Sequence, residues 1–312
     1  MTQLLCQSTD YVEFPNLFGG LKFHVSEEAF NIFGFSVRWY GLIIGIGLLL
    51  CAFLGMRACR KYDLKQDDLL DYLLIALPSA IVGARLYYVA FNFGEFKGDF
   101  KKLFDIRSGG LAVYGGIIAA MLAVFVMSRF KKHSFLKLAD FAAPYIFLGQ
   151  AIGRWGNFFN QEAYGGATNL PWGMTGNQIA VENIVYRGWR GDTLVHPTFL
   201  YESLWCLAGF AVVLWYRRSK YKKAGGECAC LYMIIYGIER AFVEGLRTDS
   251  LMIGSTGIRV SQVLSVILVT AGIALFIVLR LRYNKKQALE GATDPEQKTG
   301  FEAVKERLDA EE

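Results

Sequence analysis

The chain has 312 residues, of which 54% are hydrophobic and 20% charged, with a formal net charge of +5 and a mean hydropathy of +0.30. Soluble chains carry about 25% charged residues; here the charges cluster between apolar stretches of about 20 residues, the length a helix needs to cross a hydrocarbon core of ~30 Å. This excludes a soluble, disordered, collagen-like or nucleic-acid-binding chain and predicts an all-α membrane protein.

Residues 1–34 contain Asp10, Glu13, Lys22, Glu27 and Glu28 and lack the basic start and short apolar core of a secretory signal, so no cleaved signal peptide is expected. Apolar stretches follow at 37–56, 69–91, 110–128, 141–159, 198–216, 228–246 and 260–279, predicting seven transmembrane helices. The first and last are the cleanest, with Arg38 their lone charge, whereas the second, fourth and sixth carry Asp71, Arg85, Arg154, Glu239, Arg240 and Glu244. The longest connection, about 160–197, has Gly165-Gly166, Asn169, Pro171, Gly173, Gly176 and Gly191 between short apolar runs such as Gln178–Val181. It predicts a small head insert of turns and short strands. After Arg280 the chain becomes polar, and 281–312 reads as a tail to which no chemistry is assigned. The expected organisation is therefore an N-terminal segment 1–34, a membrane domain 35–280 that includes the 160–197 insert, and the tail.

Basic clusters at Arg57–Lys65, Arg129–Lys137, Arg217–Lys223 and Arg280–Lys286 outweigh those at the opposite span ends, so that side is expected to be cytoplasmic. The N-terminus and the insert then lie outside and the tail inside, as a multi-pass protein of the bacterial cell membrane. Cys6, Cys51, Cys59, Cys206, Cys228 and Cys230 lie mostly in or beside spans, where a thiol packs as a small apolar group. Cys228-Ala-Cys230 lacks the further ligands of a zinc site, and no serine or thiol nucleophile stands in a triad context. No metal or cofactor is expected.

Three arginines, Arg85, Arg154 and Arg240, lie inside apolar spans, where each costs at least ~2.5 kcal/mol on insertion scales and calls for a compensating partner. Gly149 and Gly153 share one helical face and predict close helix approach; beside them Arg154, Asn157 and Asn160, three apart, form a polar stripe able to hold a phosphodiester. The competing reading, of about equal weight, pairs Arg154 with Glu162 or another buried acid. Arg240, Glu244 and Arg247 lie at i, i+4 and i+7 on one face and either satisfy one another or leave donors for an anion. In Ser108-Gly-Gly-Leu-Ala-Val-Tyr114-Gly-Gly116, glycines around one tyrosine suggest backbone kept thin so that something bulky approaches the Tyr114 hydroxyl. Asp140 and the run His196-Pro-Thr-Phe-Leu-Tyr-Glu202 complete the polar set; each member alone is more often a helix-pairing group.

Together these runs resemble the prolipoprotein diacylglyceryl transferases, bacterial membrane enzymes that lipidate the lipobox cysteine of lipoprotein precursors. The resemblance rests on Val37-Arg38-Trp39-Tyr40-Gly41, Gly83-Ala84-Arg85, Gly109 to Gly116, Asp140, Gly153 to Glu162, His196 to Glu202 and Arg240 to Asp249, in the family's order over residues 36–280. It implies a seven-span fold with an outer head, phosphatidylglycerol as lipid donor and a prolipoprotein signal peptide as acceptor at the bilayer. Arg154 matches the arginine that binds phosphatidylglycerol; Asn157, Glu162, Arg240 and Glu244 match residues important for activity. Tyr40, Arg85, Asp140 and Arg247 are expected to contribute to substrate binding. Tyr114 stands where enterobacterial members carry histidine, and a phenol at neutral pH more readily donates a hydrogen bond than takes a proton. The rival expectations are a lipid or anion transporter using the same arginines for translocation and a structural scaffold. No internal repeat of the kind common in transporters relates the Arg154 and Arg240 segments.

Overall fold

The computed structural model describes residues 10–62, 64–96, 100–105, 109–248, 252 and 259–292. Cys6, Ser108, Asp249 and the tail beyond 292, all used in the sequence reading, lie outside the described residues. The described residues of Met1–Leu48 and Ala143–Glu312 form one compact unit and those of Leu49–Ala142 a second.

Each predicted apolar stretch is a helix: α1 (Trp39–Cys59), α2 (Gln66–Phe91), α3 (Val113–Phe130), α4 (Phe135–Asn160), α6 (Thr198–Arg218), α7 (Glu227–Leu246) and α8 (Val260–Ala292). Six of these, all but α7, are long and apolar enough to cross a membrane. α7 has the length, but Glu227, Glu239, Arg240 and Glu244 interrupt its apolar composition, and its three acids are buried. Bare faces elsewhere are apolar, as at Leu49, Leu74, Ile118 and Ile267, the surface a hydrocarbon solvent favours. The chain is a mostly helical membrane protein.

In the unit Leu49–Ala142, α2 and α3 pack backbone to backbone. A Cβ on Gly115 would lie 2.2 Å from Tyr87 Cβ and 2.4 Å from the Gly83 carbonyl oxygen, so only glycine permits this approach. At the α3 C-terminus Lys131 donates to Asp68 at 2.5 Å and Asp71 at 2.6 Å, and these carboxylates hold its ammonium above its ordinary pKa.

In the other unit α6, α7 and α8 pack in sequence order. Their shared end is joined by Glu227, which is fully buried and accepts from Arg280 Nε at 2.7 Å, the Tyr216 hydroxyl at 3.0 Å and the Lys223 N–H at 2.8 Å. Both oxygens of this carboxylate are hydrogen-bonded, the condition under which a buried charge is tolerated. α4 meets α6 where Gly209 seats the Phe147 ring and where Trp155 Nε1 donates to Ser203 Oγ (3.2 Å), which donates to the Ala151 carbonyl (2.9 Å).

The residues before α1 fold into strands. β1 (Tyr11–Phe14) pairs antiparallel with β2 (Leu21–His24) and, on its other edge, with the two-residue β5 (Thr175–Gly176) of the insert, giving the order β2-β1-β5. β3 (Glu28–Ile32) and β4 (Phe35–Arg38) form a separate hairpin that runs directly into α1. Val12, Phe14 and Val25 share one core with Phe158, Ile179, Val195 and Phe199. The N-terminal segment and the insert thus fold together rather than as separate pieces. The insert also departs from the expected strands: Gln178–Val181 belongs to a helix, α5 (Asn177–Arg187). Ile179 and Asn183, four apart, are its buried residues, and Gly188 at φ +63° ends it with its N–H on the Asn183 carbonyl, a left-handed cap that suits glycine. α8 likewise runs past the predicted span end at 279 to Ala292.

A valine at Gly115 should drive α2 and α3 apart and destabilise the protein by at least about 1–3 kcal/mol, the cost of overpacking. Gly45→Ala, whose Cβ meets nothing within 4 Å, should leave stability unchanged. Melting temperatures in detergent check both, and equal values for the two variants would contradict this packing.

Candidate active site

The last turns of α4 carry Arg154, Asn157 and Asn160 one turn apart. The start of α1 is pinned to them: Trp39 stacks on Phe159 with centroids 5.0 Å apart, and the Tyr40 ring lies so close to α4 that a Cβ on Gly156 would sit 2.6 Å from it. Of the glycines expected to allow close approach, Gly153 does not, since a Cβ there meets nothing within 4 Å, whereas Gly156 does. Beyond the helix Gln161 and Ala163 adopt left-handed backbone at φ +50° and +56°, an uncommon conformation for such residues that surroundings must impose. Gln161 Oε1 accepts the Gln178 N–H at 3.0 Å, which fastens this corner to α5. Glu162 is exposed and accepts from Asn160 Nδ2 at 3.1 Å.

Arg154 is paired with Glu202 on α6, not with Glu162: its Nε lies 3.0 Å from Glu202 Oε2. Arg240 on α7 reaches the other oxygen, with Nη1 3.3 Å from Glu202 Oε1, and its Nη2 is 2.7 Å from Glu244 Oε2. One wholly buried carboxylate therefore joins two guanidiniums from two helices. Among the described residues, the terminal amino groups of Arg154 and the side-chain amide of Asn157 have no hydrogen-bond partner. The ion-pair reading is met with another buried acid than Glu162: Nε is held by Glu202, while the two terminal amines have no partner among the described residues.

Arg247 caps α7, and its backbone bridges Gly165. The Gly166 N–H donates to the Leu246 carbonyl at 2.9 Å, and Thr198 Oγ1 donates to the Ala163 carbonyl. The α4 corner, the α6 start and the α7 end are thereby tied together around the arginine pair. His196 Nδ1 lies 3.3 Å from the Tyr201 hydroxyl, and burial pushes its imidazole below its ordinary pKa.

Arg85, Tyr114 and Asp140 belong to the second unit. Arg85 is buried and donates Nε to the Leu103 carbonyl (3.0 Å), Nη1 to those of Gly109 and Gly110 (both 2.9 Å) and Nη2 to that of Lys102. Its donors organise the segment leading into α3. The glycines around Tyr114 have local packing roles: Gly109 and Gly110 take positive φ, a Cβ on Gly110 would strike Arg85, and Gly115 seats α2. Tyr114 is half-exposed on the first turn of α3, with no hydrogen-bond partner for its hydroxyl among the described residues. Asp140 is buried near the start of α4.

The family model described as prolipoprotein diacylglyceryl transferase matches residues 27–278. The chain belongs to this family. It is 44% identical over 258 residues to the phosphatidylglycerol–prolipoprotein diacylglyceryl transferase of Finegoldia magna, covering 83% of this chain and 96% of that one. The corresponding protein of Clostridium kluyveri is 45% identical over 254 residues (81% and 96%), and that of Clostridioides difficile 42% identical over 262 residues (84% and 98%). Membership of a transferase family sets aside the transporter expectation. Two acids of this family member's arginine cluster were named in the sequence analysis but given no role in binding or catalysis. Glu202 and Glu239 were visible as carboxylates inside apolar stretches, the signal that had flagged the arginines, but the helix pairing that brings them together is not written in any local spacing.

Replacing Glu202 by alanine leaves two buried guanidiniums without their shared partner and should cost roughly 3–5 kcal/mol. In a thermal double-mutant cycle, Arg154→Met should destabilise the Glu202→Ala protein less than it does the wild type. Additive losses would mean that the two side chains are not coupled.

Proposed function

We propose that this chain transfers the diacylglyceryl group of phosphatidylglycerol to the lipobox cysteine thiol of a prolipoprotein, forming a thioether and releasing glycerol phosphate. Family membership supports the reaction, and one observation supports the site: Arg154, inside an apolar helix, keeps two terminal amines free while Glu202 ties it to Arg240. Arg154 binds the lipid phosphate with a planar pair of donors, and Asn157, one turn on, adds its amide. Arg240, fixed by Glu202 and Glu244, adds the second positive charge. Tyr40, packed on Gly156, and Arg247, at the α7 end, add substrate contacts, with Glu162 orienting Asn160. Of the second unit's residues, Arg85 shapes the entry to α3, and Tyr114 and Asp140 are assigned to catalysis and substrate binding on the family resemblance.

The thiol sulfur attacks the glyceryl carbon that bears the phosphate ester, and the C–O bond breaks. The phosphodiester holds one negative charge and gains a second as the glycerol phosphate departs. Guanidiniums fixed in a water-poor site stabilise that growing charge more than the ground state, which lowers the barrier rather than merely tightening binding. The basic clusters support a reading with the N-terminus and the 160–197 insert outside the bacterial cell membrane and the tail in the cytoplasm. In this arrangement α7 is the seventh crossing, its acids shielded by the helices around it.

Purified protein supplied with phosphatidylglycerol and a lipobox peptide should yield the thioether, read by mass spectrometry. Arg154→Ala should lower kcat by at least about 10²-fold, and Arg154→Lys should recover little, because a point charge does not replace the fork. No product from the wild type, or undiminished product from Arg154→Ala, would overturn this assignment.

A further inference from the structure

The cluster holds more carboxylate than its ion pairs use. Glu202 is spent on Arg154 and Arg240, Glu244 lies 2.7 Å from Arg240, and the exposed Glu162 accepts from Asn160. Glu239, adjacent to Arg240, differs from all three. It is 1% exposed, and neither of its carboxylate oxygens has a hydrogen-bond partner. Among the described residues no cation stands within ion-pair distance of it, yet Glu202, Arg154, Arg240 and Arg247 all lie within electrostatic reach. A buried carboxyl group with unfilled lone pairs is costly unless it takes up a proton or meets a partner, and in a native fold it calls for an explanation, of which a catalytic role is one.

We infer that Glu239 is the proton acceptor for the incoming lipobox thiol. This inference rests on the transferase reading above and names a group that reading leaves open. The chemistry restricts where the acceptor sits: the attacked carbon is one bond from the phosphate ester oxygen, so the thiol proton is released beside the guanidiniums that hold the phosphate. Glu239 is the carboxylate there with both oxygens unspent. The S–H bond breaks with its proton passing to a Glu239 oxygen, the sulfur electron pair forms the C–S bond, and the C–O bond to phosphate breaks with its electrons on the leaving oxygen. The departing glycerol phosphate, now with an added negative charge, takes the proton from Glu239 and restores the carboxylate. The groups that face Glu239 and set its proton affinity are Arg154 from α4, Glu202 and Cys206 from α6, Tyr232, Tyr236 and Arg240 on α7 itself, and Arg247 at its end.

The test compares two nucleophiles. Wild type and Glu239→Gln are assayed across pH with a lipobox peptide containing cysteine and with the same peptide containing selenocysteine, kept reduced; its selenol is already ionised at neutral pH and needs no base. Glu239→Gln should lower kcat with the cysteine peptide by about 10²-fold or more, with the remaining activity rising as pH ionises the free thiol. It should regain most of the lost rate with the selenocysteine peptide. Retained activity with cysteine, or an equal loss with both peptides, would overturn the assignment; the second outcome also covers a variant that merely misfolds. Wild type that makes no thioether at all would instead overturn the underlying transferase reading.

Discussion

The structure depends on keeping guanidinium groups inside helices that hydrocarbon surrounds. An arginine there is costly alone, and Glu202 makes two of them tolerable at once by presenting one oxygen to Arg154 and the other to Arg240. Everything that fixes Glu202 therefore fixes the site. The Trp155–Ser203–Ala151 chain sets α6 against α4 one residue from Glu202, and Gly209 lets the same helices close further along. At the opposite end Glu227, with Arg280 and Tyr216, locks α6, α7 and α8, so that Arg240 is presented from a helix with little freedom to rotate. The two acidic hubs differ in one respect. Glu227 is hydrogen-bonded on both oxygens, as a structural charge should be, whereas the Glu202 cluster leaves donors and acceptors open.

That incompleteness is what a binding site for an anion requires. A fully self-satisfied ion network would have to be broken to admit a phosphate, at a cost comparable to the affinity gained. Here Arg154 is held by its Nε edge while its terminal amines and the Asn157 amide stay free, so orientation is fixed before a ligand arrives. The left-handed residues Gln161 and Ala163 and the tie of Gln161 to α5 place the corner after α4 under tertiary control. The module formed by β1, β2, β5 and α5 thereby supports the site as well as covering residues of its own core.

The apolar stretches were legible because bilayer thickness imposes a length that composition reveals directly, and the buried arginines stood out against it. The partner of Arg154 was not legible. Glu162, eight residues away, is the local candidate, but a terminal residue past a helix end points elsewhere, and the true partner is 48 residues on, at |i−j| set by helix packing alone. The packing roles of the glycines near Tyr114 were hidden for a related reason: Gly109 and Gly110 serve backbone turns around Arg85 and Gly115 a helix contact with Gly83, partners that lie far off in sequence. In the insert, Gly188 was the unread stop signal of α5, and without it Gln178–Val181 resembled a strand.

The account stands most directly on where the lipid phosphate binds. A structure determined with phosphatidylglycerol in a nanodisc should show the phosphate within hydrogen-bond distance of the terminal amines of Arg154 and the amide of Asn157, with Glu202 still on Arg154 Nε. A phosphate bound away from Arg154, or one that displaces Glu202 from it, would contradict the account.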